Sequence, residues 1–142
     1  MIYMQHDELP EGAFNIATHA LSLLPVARTF GFELRELRSG EAVMAMPMRE
    51  DMRQLGGVLH GGITATLIDT AMAFAIRTLV PIAEATATID LTIHYLRPHS
   101  EGELLCTATV VRPGKRIITV SAEVHNAEGK AIATALSTYT RL

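Results

Sequence analysis

The stretch that most constrains this chain is "LHGGITATLIDTAMAFAIRTLVP", Leu59 to Pro81. It reads as one long helix, stopped where Pro81 can no longer donate to the helical ladder. Apolar residues occupy nearly every side of it: Ile63, Leu67, Ala71 and Phe74 on one, Ala65, Ile68, Met72, Ile76 and Leu79 on the others. A helix that is apolar all round has to be enclosed, so the rest of the chain must supply the surface that wraps it.

The exception is a narrow stripe at spacings of three and four: Thr66, Asp69, Thr70, Ala73 and Arg77. Asp69 therefore faces Thr66 and Ala73, and its other neighbours one turn away, Ala65 and Met72, carry no charge either. Arg77 lies two turns on, about 12 Å along the axis. An enclosed carboxylate without a cation costs several kcal/mol or shifts its pKa upward, and either condition suits a general base or a nucleophile. A salt bridge to a distant strand or to another subunit accounts for Asp69 equally well, and these residues leave both readings open.

Downstream of Pro81 the pattern changes to sheet. In "TATIDLTIHYLR" the odd positions Ala87, Ile89, Leu91, Ile93 and Tyr95 are apolar and the even ones, Thr86, Thr88, Asp90, Thr92 and His94, are polar. Turns at "PHSEG", "RPGK" and "NAEGK" separate further strands near 103–111, 116–125 and 130–140, so four strands in a meander are expected. Upstream, residues 11–24 have helical spacing up to Pro25, and strands near 32–38 and 41–48 form a hairpin at "SGE", with Gly40 free to take positive φ. The fold class is α+β, with one antiparallel sheet curved around the long helix. The 142 residues make a single domain, 1–142, with 1–28 as an N-terminal helical segment.

Composition excludes several functions. A formal net charge of -3 and no basic stripe argue against nucleic acid. "RPGKR", Arg112 to Arg116, is short enough to be a solvated hairpin tip. Asp69, Arg77, Glu84 and Asp90 interrupt the apolar runs before the ~20 residues of a membrane span. The start, "MIYMQHDELPEG", is acidic where a signal peptide is basic, so a cytoplasmic protein is expected. The single cysteine, Cys106, sits in a strand with no cation or helix start beside it, which reads as structural.

The glycines of "GGVLHGG" bracket His60. Gly61 and Gly62 open the helix, where unpaired N–H groups and the positive dipole end favour developing negative charge; they suit an oxyanion hole or simply a tight loop. Nine residues separate His60 from Asp69, and at about 100° per residue they stand on opposite sides of the helix. A reaction that uses both needs a second copy of the chain, in a two-fold dimer with paired sites. A metal site is the rival use of His60, His94, His99, His125 and Asp69, but no HxH, HxxxH or HExxH spacing is present, so no metal is expected.

"GGVLHGGITATLIDTAMAFA" followed by "ATIDLTIHYLRP", "GKRIITVSAEV" and "GKAIATALSTYTRL" resembles the hotdog-fold acyl-CoA thioesterases of the phenylacetate-pathway (PaaI-like) type, over roughly residues 30–142. The resemblance implies a helix wrapped by an antiparallel sheet, in dimers usually paired again into tetramers. It implies that Asp69 is the catalytic carboxylate, that the Gly61 N–H polarises the thioester carbonyl, that His60 holds the carbonyl or the departing thiolate across the dimer, and that Thr88 orients the water. Because Thr88 falls on the polar strand face, its approach to Asp69 is expected to need the dimer. Gln54 stands where similar enzymes often have Asn. Gly62, Arg97, Pro98, Gly114, Lys115 and Arg116 fall where such proteins bind substrate, and cations there suit the phosphates of coenzyme A. No cofactor is implied.

The leading expectation is hydrolysis of an acyl-CoA thioester. Two alternatives stand beside it: a hydroxyacyl thioester dehydratase or hydratase, and a non-catalytic acyl-CoA sensor in which Asp69 is structural. Met44, Met46 and Met48 read as either a pliable pocket lining or plain core.

Overall fold

The computed structural model describes residues 8–142; Met1 to Asp7, on which part of the leader reading rests, lie outside the described residues. The first helix, α1, spans Ala13–Leu23. The run ends before Pro25 as expected, with Leu24 as its C-cap, and Pro25 itself opens a second short helix, α2, Pro25–Phe30. The reason is local: Leu24 is extended (φ -78, ψ 114), as a residue before proline prefers, and proline's fixed φ then suits a first helical position. Gly31 closes α2 in the left-handed region at φ 71.

The hairpin of β1 (Glu33–Arg38) and β2 (Glu41–Met46) turns at Gly40, whose φ is 74. The long helix, α3, is Gly61–Arg77. Four strands follow: β3 Thr86–Tyr95, β4 Leu104–Pro113, β5 Ile117–Asn126 and β6 Ala131–Arg141. All six strands form one antiparallel sheet in the order β1-β2-β4-β5-β6-β3.

That order corrects the expected four-strand meander. Strands β4, β5 and β6 are successive hairpins, but β3 lies on the far edge beside β6. The position next to β4 is taken by β2, so the chain leaving β3 has to cross two strands before β4 begins. The outcome is that β3 has one bare edge.

The helix is enclosed as its composition demands. Leu67, Ile68, Ala71, Met72, Ala75 and Ile76 are buried and share one core with Met44 and Met46 of β2, Cys106, Ala108 and Val110 of β4, and Val120, Ala122 and Val124 of β5. Met44 and Met46 are core residues, at 0% and 1% exposure. Burial pushes the Cys106 thiol up to about 12, and the cysteine is structural. Only one side of α3 stays half open, and Thr66, Asp69 and Ala73 lie along it.

A second correction concerns β3. Thr88 pairs with Tyr139 and Asp90 with Thr138, which leaves Ile89 as an extra residue in a bulge. An extra residue inverts the alternation on either side of it. Beyond the bulge Leu91, Ile93 and Tyr95 pair with Ser137, Ala135 and Ala133 and share their helix-facing side, as the odd-position reading requires. Before the bulge it is Thr88, paired with the buried Tyr139, that faces the helix.

Met72 is fully buried at the centre of this core, so Met72→Ala is expected to cost about 2–5 kcal/mol. Ile82→Ala, at a position 91% exposed, is expected to stay within about 0.5 kcal/mol of the parent. Urea denaturation midpoints measure both.

Candidate active site

Asp69 sits midway along α3 and is half buried. Its Oδ1 accepts two hydroxyl hydrogen bonds, from Thr88 Oγ1 at 2.8 Å and from the Tyr139 hydroxyl at 2.5 Å. Tyr139 also lies 2.9 Å from the Asp69 main-chain carbonyl, so it spans the backbone and side chain of one residue. No described residue donates to Oδ2, and no described cation pairs with the carboxylate. Two expectations change here. Asp69 is not unpartnered, because hydroxyls from β3 and β6 hold one of its oxygens, and no salt bridge from a strand of its own chain explains it. Thr88 reaches Asp69 within a single chain, without a dimer, because the bulge at Ile89 has turned it toward the helix.

Tyr139 was not singled out from the sequence, although a signal existed. Along β6 the buried face is Ala133, Ala135, Ser137 and Tyr139. A tyrosine in phase with buried alanines must find a partner for its hydroxyl. Burial first, then the hydrogen bond to Asp69, raises the Tyr139 hydroxyl above the usual phenol range.

The start of α3 is built differently. His60 is the N-cap, and its Nδ1 accepts from the Gly62 N–H at 3.0 Å. The Ile63 N–H donates to the His60 carbonyl at 3.0 Å. Gly62, expected to bind substrate, thus has its N–H committed to the cap, while the Gly61 N–H meets no acceptor among the described residues. With Nδ1 accepting, the His60 ring proton belongs on Nε2, where it is free to donate outward. The Tyr95 hydroxyl donates to the Gly61 carbonyl at 2.6 Å, and its ring lies 3.2 Å from where a Cβ on residue 61 would be, which explains glycine there.

Gln54 belongs to the same end. Its Oε1 accepts from the Gly56 N–H, and its amide nitrogen has no acceptor among the described residues. Arg53 anchors this loop, donating to the Gly57 and Ser100 carbonyls at 2.7 and 2.8 Å. Gln54, Gly61, Tyr95, Arg97 and Pro98 border one pocket of about 320 Å³.

The predicted residues thus fall into two groups. His60, Gly61, Gln54, Arg97 and Pro98 gather at the start of α3. Asp69 and Thr88 lie eight or more residues further along, with the β4–β5 hairpin tip Gly114, Lys115 and Arg116 at their end of the sheet: Ile117 pairs with Thr140, and Thr140 with Ala87. From Gly61 to Asp69 the helix rises about 12 Å, and β3 separates Arg97 from the hairpin tip by about 30 Å. One chain does not bring the two groups together.

This arrangement has known relatives. A family model described as the thioesterase superfamily matches residues 56–133, a segment that holds the whole of α3 and β3 through β5. Human acyl-coenzyme A thioesterase 13 is 34% identical over 96 residues, covering 66% of this chain and 68% of that protein. The medium/long-chain acyl-CoA thioesterase YigI of Escherichia coli K12 is 30% identical over 131 residues, covering 82% of this chain and 84% of its own. Among solved structures, the E. coli PaaI protein from the phenylacetic acid degradation operon superposes with a TM-score of 0.86 at 27% identity, over 94% of this chain and 96% of that one. With half of the chain inside the family model and the same helix-and-sheet fold in its neighbours, this chain belongs to the thioesterase superfamily and has its hotdog fold.

Proposed function

We propose that the chain hydrolyses acyl-CoA thioesters at composite sites formed by two copies paired through β3. The observation that carries this reading is the division of the site: a carboxylate with one oxygen and a helix start with one N–H left unpartnered among the described residues, fixed about 12 Å apart on one rigid helix. Between them runs β3, an edge strand with Thr88 beside Asp69 and Tyr95 beside Gly61. Antiparallel pairing of two β3 edges, centred between those positions, sets Thr88 of one copy across from Tyr95 of the other. Each carboxylate then meets the other copy's helix start, and two equivalent sites result. Further pairing into tetramers is compatible with this arrangement.

In such a site the thioester oxygen takes the Gly61 N–H, with the Gln54 amide and His60 Nε2–H as further donors. Asp69 Oδ2 acts as general base or nucleophile. As base it takes a proton from water that Thr88 helps orient; the oxygen adds to the carbonyl carbon, the C–S bond breaks, and the proton passes to the departing thiolate. The charges suit coenzyme A: Lys115, Arg116 and Arg97 supply cations for its phosphates, with Gly114 and Pro98 shaping the backbone around them. Names of the relatives favour hydrolysis over the hydratase and sensor alternatives. No helix among the described residues is long and apolar enough to cross a membrane, and a cytoplasmic enzyme is the reading we adopt.

Thiol release from a panel of acyl-CoA esters tests the reaction, and Asp69→Asn is expected to lower kcat about 100-fold or more with the fold intact by circular dichroism. Turnover close to the parent's would remove Asp69 from the chemistry. Lys115→Ala is expected to raise KM for full CoA esters more than it lowers kcat, because a remote phosphate contact binds substrate and transition state alike. On a truncated pantetheine ester the same variant should match the parent, and an equal loss on both esters would place Lys115 away from the nucleotide.

A further inference from the structure

We infer that Tyr139 is a positioning residue for Asp69, one that decides which carboxylate oxygen reacts; the inference rests on the thioester-hydrolase reading above. A carboxylate on a helix can rotate about its side chain and exchange its two oxygens. Tyr139 prevents this by bridging two atoms of the same residue, the main-chain carbonyl at 2.9 Å and Oδ1 at 2.5 Å. Thr88 adds a second donor to Oδ1 at 2.8 Å. Both donors come from one directly paired position in the sheet, Thr88 opposite Tyr139, so the grip on Asp69 is as rigid as the β3–β6 ladder. Oδ1 is thereby spent on hydrogen bonds, and Oδ2 is the oxygen left to face water or thioester.

Tyr139 is suited to this task. It is 3% exposed, packed in β6 beside Ser137 on the face turned to α3. Burial holds its hydroxyl protonated beyond the ordinary phenol range, so it stays a donor to the carboxylate and does not exchange protons with substrate. Fixing a reacting group within a narrow range of orientations accounts for large rate factors in general. The residue lies beyond the end of the segment that matches the family model, 56–133.

The test begins with thiol release by the parent chain. If the parent releases none from any CoA ester, the hydrolase reading fails and this inference falls with it. If the parent is active, Tyr139→Phe, which keeps the ring and removes only the hydroxyl, is expected to lower kcat about 10-fold to 100-fold, the range for losing a hydrogen bond to a charged group, with KM within about twofold. In an Asp69→Asn background the same change is expected to cost little more, because Tyr139 acts through the carboxylate. Placing 4-aminophenylalanine at 139 restores a donor at the same reach and is expected to recover much of the lost kcat; it also serves if Tyr139→Phe folds poorly. A folded Tyr139→Phe with kcat within twofold of the parent would overturn the inference while leaving the hydrolase reading in place. So would an equal loss in both backgrounds, or no recovery with the amino analogue.

Discussion

The rigidity of α3 governs the geometry of the proposed site. Eight residues of continuous helix separate the Gly61 N–H from Asp69, and no side-chain motion shortens a hydrogen-bonded helix. The helix is held on most of its surface by Leu67, Ile68, Ala71, Met72, Ala75 and Ile76 in the core, so it cannot bend toward itself. The Gly61 N–H and the Asp69 carboxylate, the donor and base of the proposed site, are therefore kept apart by the element that carries them both. The same enclosure leaves one side half open, and Asp69 lies on it. In the proposed dimer a second copy, brought edge to edge along β3, would resolve the separation without deforming either chain.

The bulge at Ile89 is the second constraint. Without the extra residue Thr88 would point away from the helix and Asp69 would lose one of its two hydroxyl partners. With it, the first part of β3 serves the carboxylate and the second part, through Tyr95, serves the helix start. Bulges tend to occur where a strand must re-aim a side chain near a site, and this one does so between two positions of the same strand.

Much of this was legible in the residues. The apolar periphery of 60–80 required an enclosed helix, alternation in 86–95 required a strand, and the nine-residue step from His60 to Asp69 set those two side chains apart. The phase of Thr88 was not legible, because an alternating pattern reads the same with or without a bulge upstream, and only the pairing with Tyr139 and Thr138 reveals the added residue. The edge position of β3 was hidden as well: a strand's pattern records which face is buried but not which neighbour it takes. Tyr139 escaped for a related reason, since its partner is 70 residues away and hydroxyl donors leave no charge signature to pair with Asp69. The capping bond from the Gly62 N–H to His60 was hidden as well, because it depends on a side-chain rotamer.

The central claim is that each site takes its helix start from one chain and its carboxylate from the other, and subunit mixing tests it most directly. His60→Ala and Asp69→Asn chains, each first shown to be severely impaired alone, are combined under conditions of exchange verified by mass. Mixed dimers then carry one site with both residues intact and one with both altered. About a quarter of the parent's thiol-release activity is expected to return, because half the dimers are mixed and each has one working site of two. Activity that stays at the level of the impaired chains after full exchange would contradict a shared site and place the whole reaction within a single chain.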